Sequence, residues 1–163
     1  MSHSSRRYAF QDKAADYSSL AAELVGLLAG ETDGIANAAN TSALIFEALP
    51  ELNWAGFYLL KDGELVVGPF QGRPACVRIA IGQGVCGTAA ARRATLVVPD
   101  VEKFPGHIAC DAASRSEIVI PLIANGALLG VLDIDSPRLN RFDENDRHGL
   151  ERLVSIFVAG SRL

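Results

Sequence analysis

Three cysteines, Cys76, Cys86 and Cys110, and three acids set in apolar surroundings, Glu117, Asp133 and Asp135, are the residues best equipped for chemistry. A thiolate is a strong nucleophile and can be oxidised and resolved reversibly. A carboxylic acid kept protonated by burial or by a neighbouring like charge is a proton donor near neutrality. Asp133 and Asp135 are two apart in a strand-like run, so they face the same side and each raises the other's cost of ionising. An apolar strand interior is an expensive place for an idle charge at Asp133. Asp135 has a competing structural role, ending the strand and capping the Ser136-Pro137 turn. Glu117 depends on the turn at Asn125-Gly126. A two-residue loop pairs Ala124 with Ala127 and turns Glu117 to the opposite face. A three-residue loop pairs Ile123 with Ala127 and sets Glu117 opposite Asp133; a bulge of equal effect would serve as well.

The cysteines occupy different settings. Cys110 lies in a long aperiodic stretch from Val101 to Arg115, next to Asp111 and three residues after His107. Cys76 heads the strand-like run to Ile81. Cys86 sits at the mouth of a short helix, Thr88 to Arg92, fed by the turn Gly82-Gln83-Gly84-Val85-Cys86-Gly87. The helix dipole and free N–H groups there should lower its pKa, so local physics nominates Cys86 as the most thiolate-like. Free cysteine is more often a small buried hydrophobe, but two of the three lie in glycine- and proline-rich turns or loops. The odd count and the absence of a Cys-x-x-Cys pair argue against a disulfide framework and a structural zinc site. No metal or cofactor is expected. His107 could assist Cys110 or ligate a metal, against the commoner role of a solvated loop histidine. The glycine-rich turn lacks the Lys-Ser/Thr of a phosphate loop, although its N–H groups could hold a substrate carboxylate. Trp54, Gly56 and Tyr58 share one strand face, as a core or as an aromatic wall of a pocket.

The elements that must position these groups follow from periodicity. Tyr17 to Gly30 and about Gly34 to Leu49 read as amphipathic helices, the second capped by Asp33 and ended by Pro50. Asn53 to Leu60 and Leu65 to Phe70 flank Asp62-Gly63, a hairpin signal. Thr95 to Val98 is a short strand, and Glu117 to Ala124 pairs with Ala127 to Asp135. A last helix starts at Asp143. Two helices, five or six strands and one helix, without regular alternation, give an α+β domain with a largely antiparallel sheet. Residues 1–16 are expected to form a loose arm and residues 17–163 a single domain.

The chain has 163 residues, 49% hydrophobic and 21% charged, which excludes intrinsic disorder. A net charge of −4 is the wrong sign for a general nucleic-acid or membrane binder. No apolar run approaches the ~18 residues of a membrane span. Ser5-Arg6-Arg7 faintly suggests an export signal, but Gln11-Asp12-Lys13 follows in place of an apolar region, so a cytoplasmic location is expected.

Five segments together resemble the free methionine-(R)-sulfoxide reductases, stand-alone GAF-domain enzymes. They are Asn53 to Tyr58, Gly68 to Cys76, Gly82 to Gly87, Ile108 to Asp111 with Ser114 to Pro121, and Gly130 to Pro137. The resemblance implies a GAF-like fold with helices packed on a central sheet, and reduction of free methionine-R-sulfoxide with thioredoxin restoring the thiols. It implies that Cys110 attacks, that Cys76 resolves and that Cys86 has a secondary or relay role. Glu117, Asp133 and Asp135 would form the acidic site, and Trp54 and Tyr58 would line the substrate pocket. Cys76 and Cys110 must then approach to about 4.4–6.8 Å between Cα atoms. A homodimer is common in this fold. The alternative within the same fold is a small-ligand-binding or redox-sensing module without turnover, which would be oxidised only once.

Overall fold

The computed structural model describes residues 8–108 and 110–163. Its centre is a six-stranded, wholly antiparallel sheet in the order β3-β2-β1-β6-β5-β4. The strands are β1 (Trp54–Lys61), β2 (Glu64–Gly72), β3 (Arg78–Ala80), β4 (Leu96–Val98), β5 (Ser116–Ala124) and β6 (Ala127–Ser136). The helices are α1 (Lys13–Leu28), α2 (Gly34–Ala48), α3 (Gly84–Arg92) and α4 (Glu144–Gly160). The expected α+β architecture holds.

Strand alternation divides the core in two. Ala55, Phe57 and Leu59 of β1, Ile118, Ile120 and Leu122 of β5, and Leu132 and Ile134 of β6 pack against α1, α2 and α4. The intervening residues, including Trp54, Tyr58, Val119 and Val131, meet α3 on the other face. Each large apolar side chain buried this way stabilises the fold by about 1.5–3 kcal/mol.

α1 begins at Lys13, capped by Asp12, so residues 13–16 belong to its first turn and not to an arm. Phe10 is buried against Tyr17 as well; the remainder of the expected arm, residues 1–7, lies outside the described residues. α2 starts after the Asp33 cap as expected. At α4 the Asp143 cap and Asp146 complete a capping box. Asp146 is fully buried and also accepts from Tyr17 Oη at 2.9 Å, Lys13 Nζ at 2.5 Å and Arg141 Nη1 at 3.3 Å. That network ties α1, α4 and the segment before α4 together.

Both hairpins turn on two residues with positive φ, Asp62-Gly63 and Asn125-Gly126, the conformation that matches strand twist. In the second hairpin Ala124 pairs with Ala127 and Ile123 with Leu128, but Leu122 pairs with Gly130. The extra residue, Leu129, is a bulge that changes the parity of everything beyond it.

Candidate active site

One end of the sheet, α3 and the loops before β3 and β5 enclose a cavity of about 40 Å³. All eight residues singled out in the sequence line it except Cys76, which borders it through the disulfide to Cys110. The bulge brings the acids together. Because of it Glu117 pairs with Asp135 and Val119 with Asp133, so all three carboxyls share the cavity face. The loop has two residues, and the expected partner of Glu117, Asp133, is replaced by Asp135, two positions along. β1 supplies the opposite neighbours, Gly56 beside Asp133 and Trp54 beside Asp135. A Cβ at Gly56 would lie 2.2 Å from Phe70 Cβ and 2.8 Å from Trp54 Cη2, so these two side chains fill the space beside the glycine.

Cys76 and Cys110 are joined by a disulfide, with Cα atoms 5.5 Å apart. Cys76 does not head a strand. β3 starts two residues later, at Arg78, and the Cys76 carbonyl accepts from Tyr58 Oη at 3.1 Å. Cys86 is the free cysteine, buried within the first turn of α3, which begins at Gly84, earlier than its sequence suggested. Its thiol is not acidified. Burial, then the charges of Asp133 and Glu117, push its pKa well above the ordinary value. Desolvation of a thiolate in this dry, acidic corner outweighs the helix dipole.

The same physics acts on the acids. Burial first, then the neighbouring carboxylates, raises Glu117 and Asp135 well above the usual range. Burial lifts Asp133 to about 6, restrained by hydrogen bonds from Glu117 and Cys86. The cluster therefore holds protons near neutrality. Cys86 Sγ donates to Glu117 Oε1 at 3.8 Å. His107 Nε2 lies 3.8 Å from Glu117 Oε2, and burial lowers its pKa. The histidine faces the acid cluster, and its side chain is largely covered, unlike a solvated loop residue.

Asp111, which lines the cavity, and Asn53, which donates to it from behind, were missed as site residues. Asp111, adjoining Cys110, is held ionised below the usual range by the Ala113 N–H and the Asn53 amide. Asn53 Nδ2 reaches both Asp111 Oδ2 at 3.0 Å and Ser114 Oγ at 2.9 Å. Their signal was present, since both lie inside the motifs quoted above, but neither residue type in a loop announces a role.

The GAF domain family matches residues 36–158. A free methionine-R-sulfoxide reductase of Escherichia coli (strain K12) is 55% identical over 144 residues, spanning 88% of this chain and 87% of its own. This chain belongs to the free methionine-R-sulfoxide reductases. The protein YtsP of Bacillus subtilis (strain 168) is 61% identical over 145 residues, 88% of this chain and 89% of its own. The X-ray structure of the free methionine-R-sulfoxide reductase from Neisseria meningitidis in complex with its substrate aligns with a TM-score of 0.92 at 46% identity. It covers 98% of this chain and 95% of that one.

In this free methionine-R-sulfoxide reductase the ligating atoms of Cys86, Glu117 and Asp133 lie within 4.8 Å of one another, close enough to share a cation. A cation there would displace the protons that the cluster retains. The arrangement suits proton storage beside a disulfide, with an ionised Asp111 across the cavity. No helix among the described residues is long and apolar enough to cross a membrane.

Proposed function

We propose that this chain reduces free L-methionine-(R)-sulfoxide to methionine through the Cys110 thiol. The observation that carries the reading is the juxtaposition, around one small cavity, of the Cys76–Cys110 disulfide and a buried carboxyl cluster that retains protons. Cys110 attacks the sulfoxide sulfur as a thiolate, and Glu117 or Asp135 protonates the sulfoxide oxygen. The oxygen passes to the Cys110 sulfur as the methionine S–O bond and the transient bond between the two sulfurs break, so methionine leaves and Cys110 is a sulfenic acid. Cys76 then attacks the Cys110 sulfur, the S–O bond breaks, water departs and the disulfide forms. A protein dithiol of the thioredoxin type reduces that disulfide by exchange. A reducing compartment, the cytoplasm, suits this cycle.

The other lining groups suit a free amino acid. The anionic Asp111 attracts an ammonium group, and the N–H groups at the start of α3 suit a carboxylate. Trp54 and Tyr58 line the cavity, so their rings offer apolar aromatic surface to a methyl-sulfoxide group. Cys86 serves here as a proton-sharing partner of Glu117, in place of a relay thiol.

The test is a thioredoxin-coupled assay with each epimer of free methionine sulfoxide, on wild type and Cys110→Ser. The R epimer alone should be consumed, over many turnovers, and the variant should lose activity by at least a thousandfold, a loss typical of a missing nucleophile (roughly 10³ or more). Retained activity in the variant would remove Cys110 from the attacking role. A single oxidation without turnover would make the chain a redox sensor.

A further inference from the structure

The two loops that carry the disulfide have no strand or helix of their own at the cysteines, yet each is tied to β1 or to the residue just before it. On the Cys76 side, Trp54 Nε1 donates to the Arg73 carbonyl at 3.1 Å and Tyr58 Oη donates to the Cys76 carbonyl at 3.1 Å. The Val67 N–H, on the neighbouring strand β2, takes the Val77 carbonyl at 2.9 Å. On the Cys110 side, the Asn53 amide bridges Asp111 and Ser114, and its own N–H is fixed on the Asp135 carbonyl at 3.0 Å. The indole of Trp54 is in turn stacked between Phe70 and Tyr58, with centroids 5.2 and 5.8 Å away.

We propose that β1 is the template for disulfide closure: Tyr58 and Asn53 are positioning residues that hold the Cys76 and Cys110 loops at bonding separation. The side chain of Tyr58 thereby acquires a second task beyond facing substrate. The inference rests on the reading of Cys110 as the attacking thiol and Cys76 as its resolving partner. Closure requires the Cys76 sulfur to approach the Cys110 sulfur along the S–O axis, so that the S–S bond forms as hydroxide leaves and takes a proton as water. The loop around Cys76 is free of ladder bonds at that residue, and among the described residues the phenol is the hydrogen-bond partner that fixes its carbonyl. Tyr58 is buried and its hydroxyl is pushed above its ordinary pKa by burial and by Asp133, so it remains a donor throughout the working pH range.

The experiment follows one turnover of the reduced full chain with Tyr58→Phe and Asn53→Ala. Methionine release, dimedone-trapped sulfenic acid and loss of the Cys76 thiol are timed separately. One hydrogen bond is worth about a factor of ten in rate. In Tyr58→Phe the ratio of closure rate to methionine-release rate should fall about tenfold, with the dimedone adduct accumulating on Cys110. The same factor should make the disulfide potential less negative by about 30 mV. In Asn53→Ala both steps should slow, because Cys110 takes part in both. An unchanged ratio in Tyr58→Phe, or equal slowing of both steps, would overturn the proposal. A parallel series uses hydrogen peroxide to form the sulfenic acid. Tyr58-dependent closure there, with no methionine released from the sulfoxide, would support the template while rejecting the proposed function.

Discussion

Burial lifts the Asp133 carboxyl to about 6, so at neutral pH it is mostly ionised in a place where its Oδ1 has no hydrogen-bond partner among the described residues. Such a group opposes folding as it loses its proton. Below the ordinary value of 3.8 it is protonated in both the folded and unfolded chain. Between there and about 6 the folded state keeps the proton and the unfolded state does not, so stability falls as pH rises and the loss is complete above that range. At about 1.36 kcal/mol per pH unit, the gap between 3.8 and about 6 amounts to roughly 3 kcal/mol. Asp133→Asn should therefore be about 1–3 kcal/mol more stable than wild type at pH 7.5, with little advantage at pH 4, while sulfoxide reduction falls. Urea denaturation at the two pH values checks this, and an equal or lower stability of the variant at pH 7.5 would contradict it. Asp133 was legible in the sequence because an acid inside an apolar strand is conspicuous. The state of Cys86 was not. Its position near a helix start was visible, but the dipole argument omitted Asp133 and Glu117, which are distant in sequence and meet the thiol only through the fold.

At the scale of elements, the β5–β6 hairpin decides whether a three-carboxyl site exists at all. The Asn125-Gly126 turn and the two apolar runs were readable, but the bulge was not, because Ala127-Leu128-Leu129-Gly130 offers two leucines and no rule for which one is looped out. Gly130 is the trace it leaves. Its φ is +154°, and a Cβ there would lie 2.2 Å from the Tyr58 carbonyl oxygen of the adjoining strand. Backbone cannot yield as a flexible side chain does, so Gly130→Ala must either push β6 away from β1 or move the bulge. The expected cost is roughly 2–4 kcal/mol, read as a melting temperature lower by roughly 5–15 °C. Losing the bulge would separate Glu117 from Asp135, so activity measured well below the melting temperature should fall too. Loss of stability with full activity would show that the register survives without this glycine. The same reasoning explains β3. Alternation suggested a strand from Cys76, but Pro74 and the side chains of Trp54 and Tyr58 hold residues 73–76 off the ladder, contacts that no local pattern encodes.

For the whole molecule, the sheet separates two tasks. The layer of α1, α2 and α4 is largely apolar, whereas the opposite face carries a buried cluster of acids and loops. The first layer must then supply the stability that the second lacks, and its keystone is Asp146. It is fully buried, caps α4 through its own box, and is the common partner of Lys13, Tyr17 and Arg141. Arg141 is itself nearly inaccessible, with one guanidinium nitrogen already without a partner among the described residues. Removing the carboxylate leaves that cation buried and unpaired, a loss of about 3–5 kcal/mol. Asp146→Ala should therefore lower the melting temperature by roughly 6–20 °C while leaving the sulfoxide KM of the remaining folded enzyme near wild type, since the network sits across the sheet from the cavity. Pairing Asp146→Ala with Arg141→Met should recover part of the loss, because the stranded charge goes with its partner. If the double variant is no more stable than the single one, the desolvated arginine is not the source of the cost, and the capping box carries it instead.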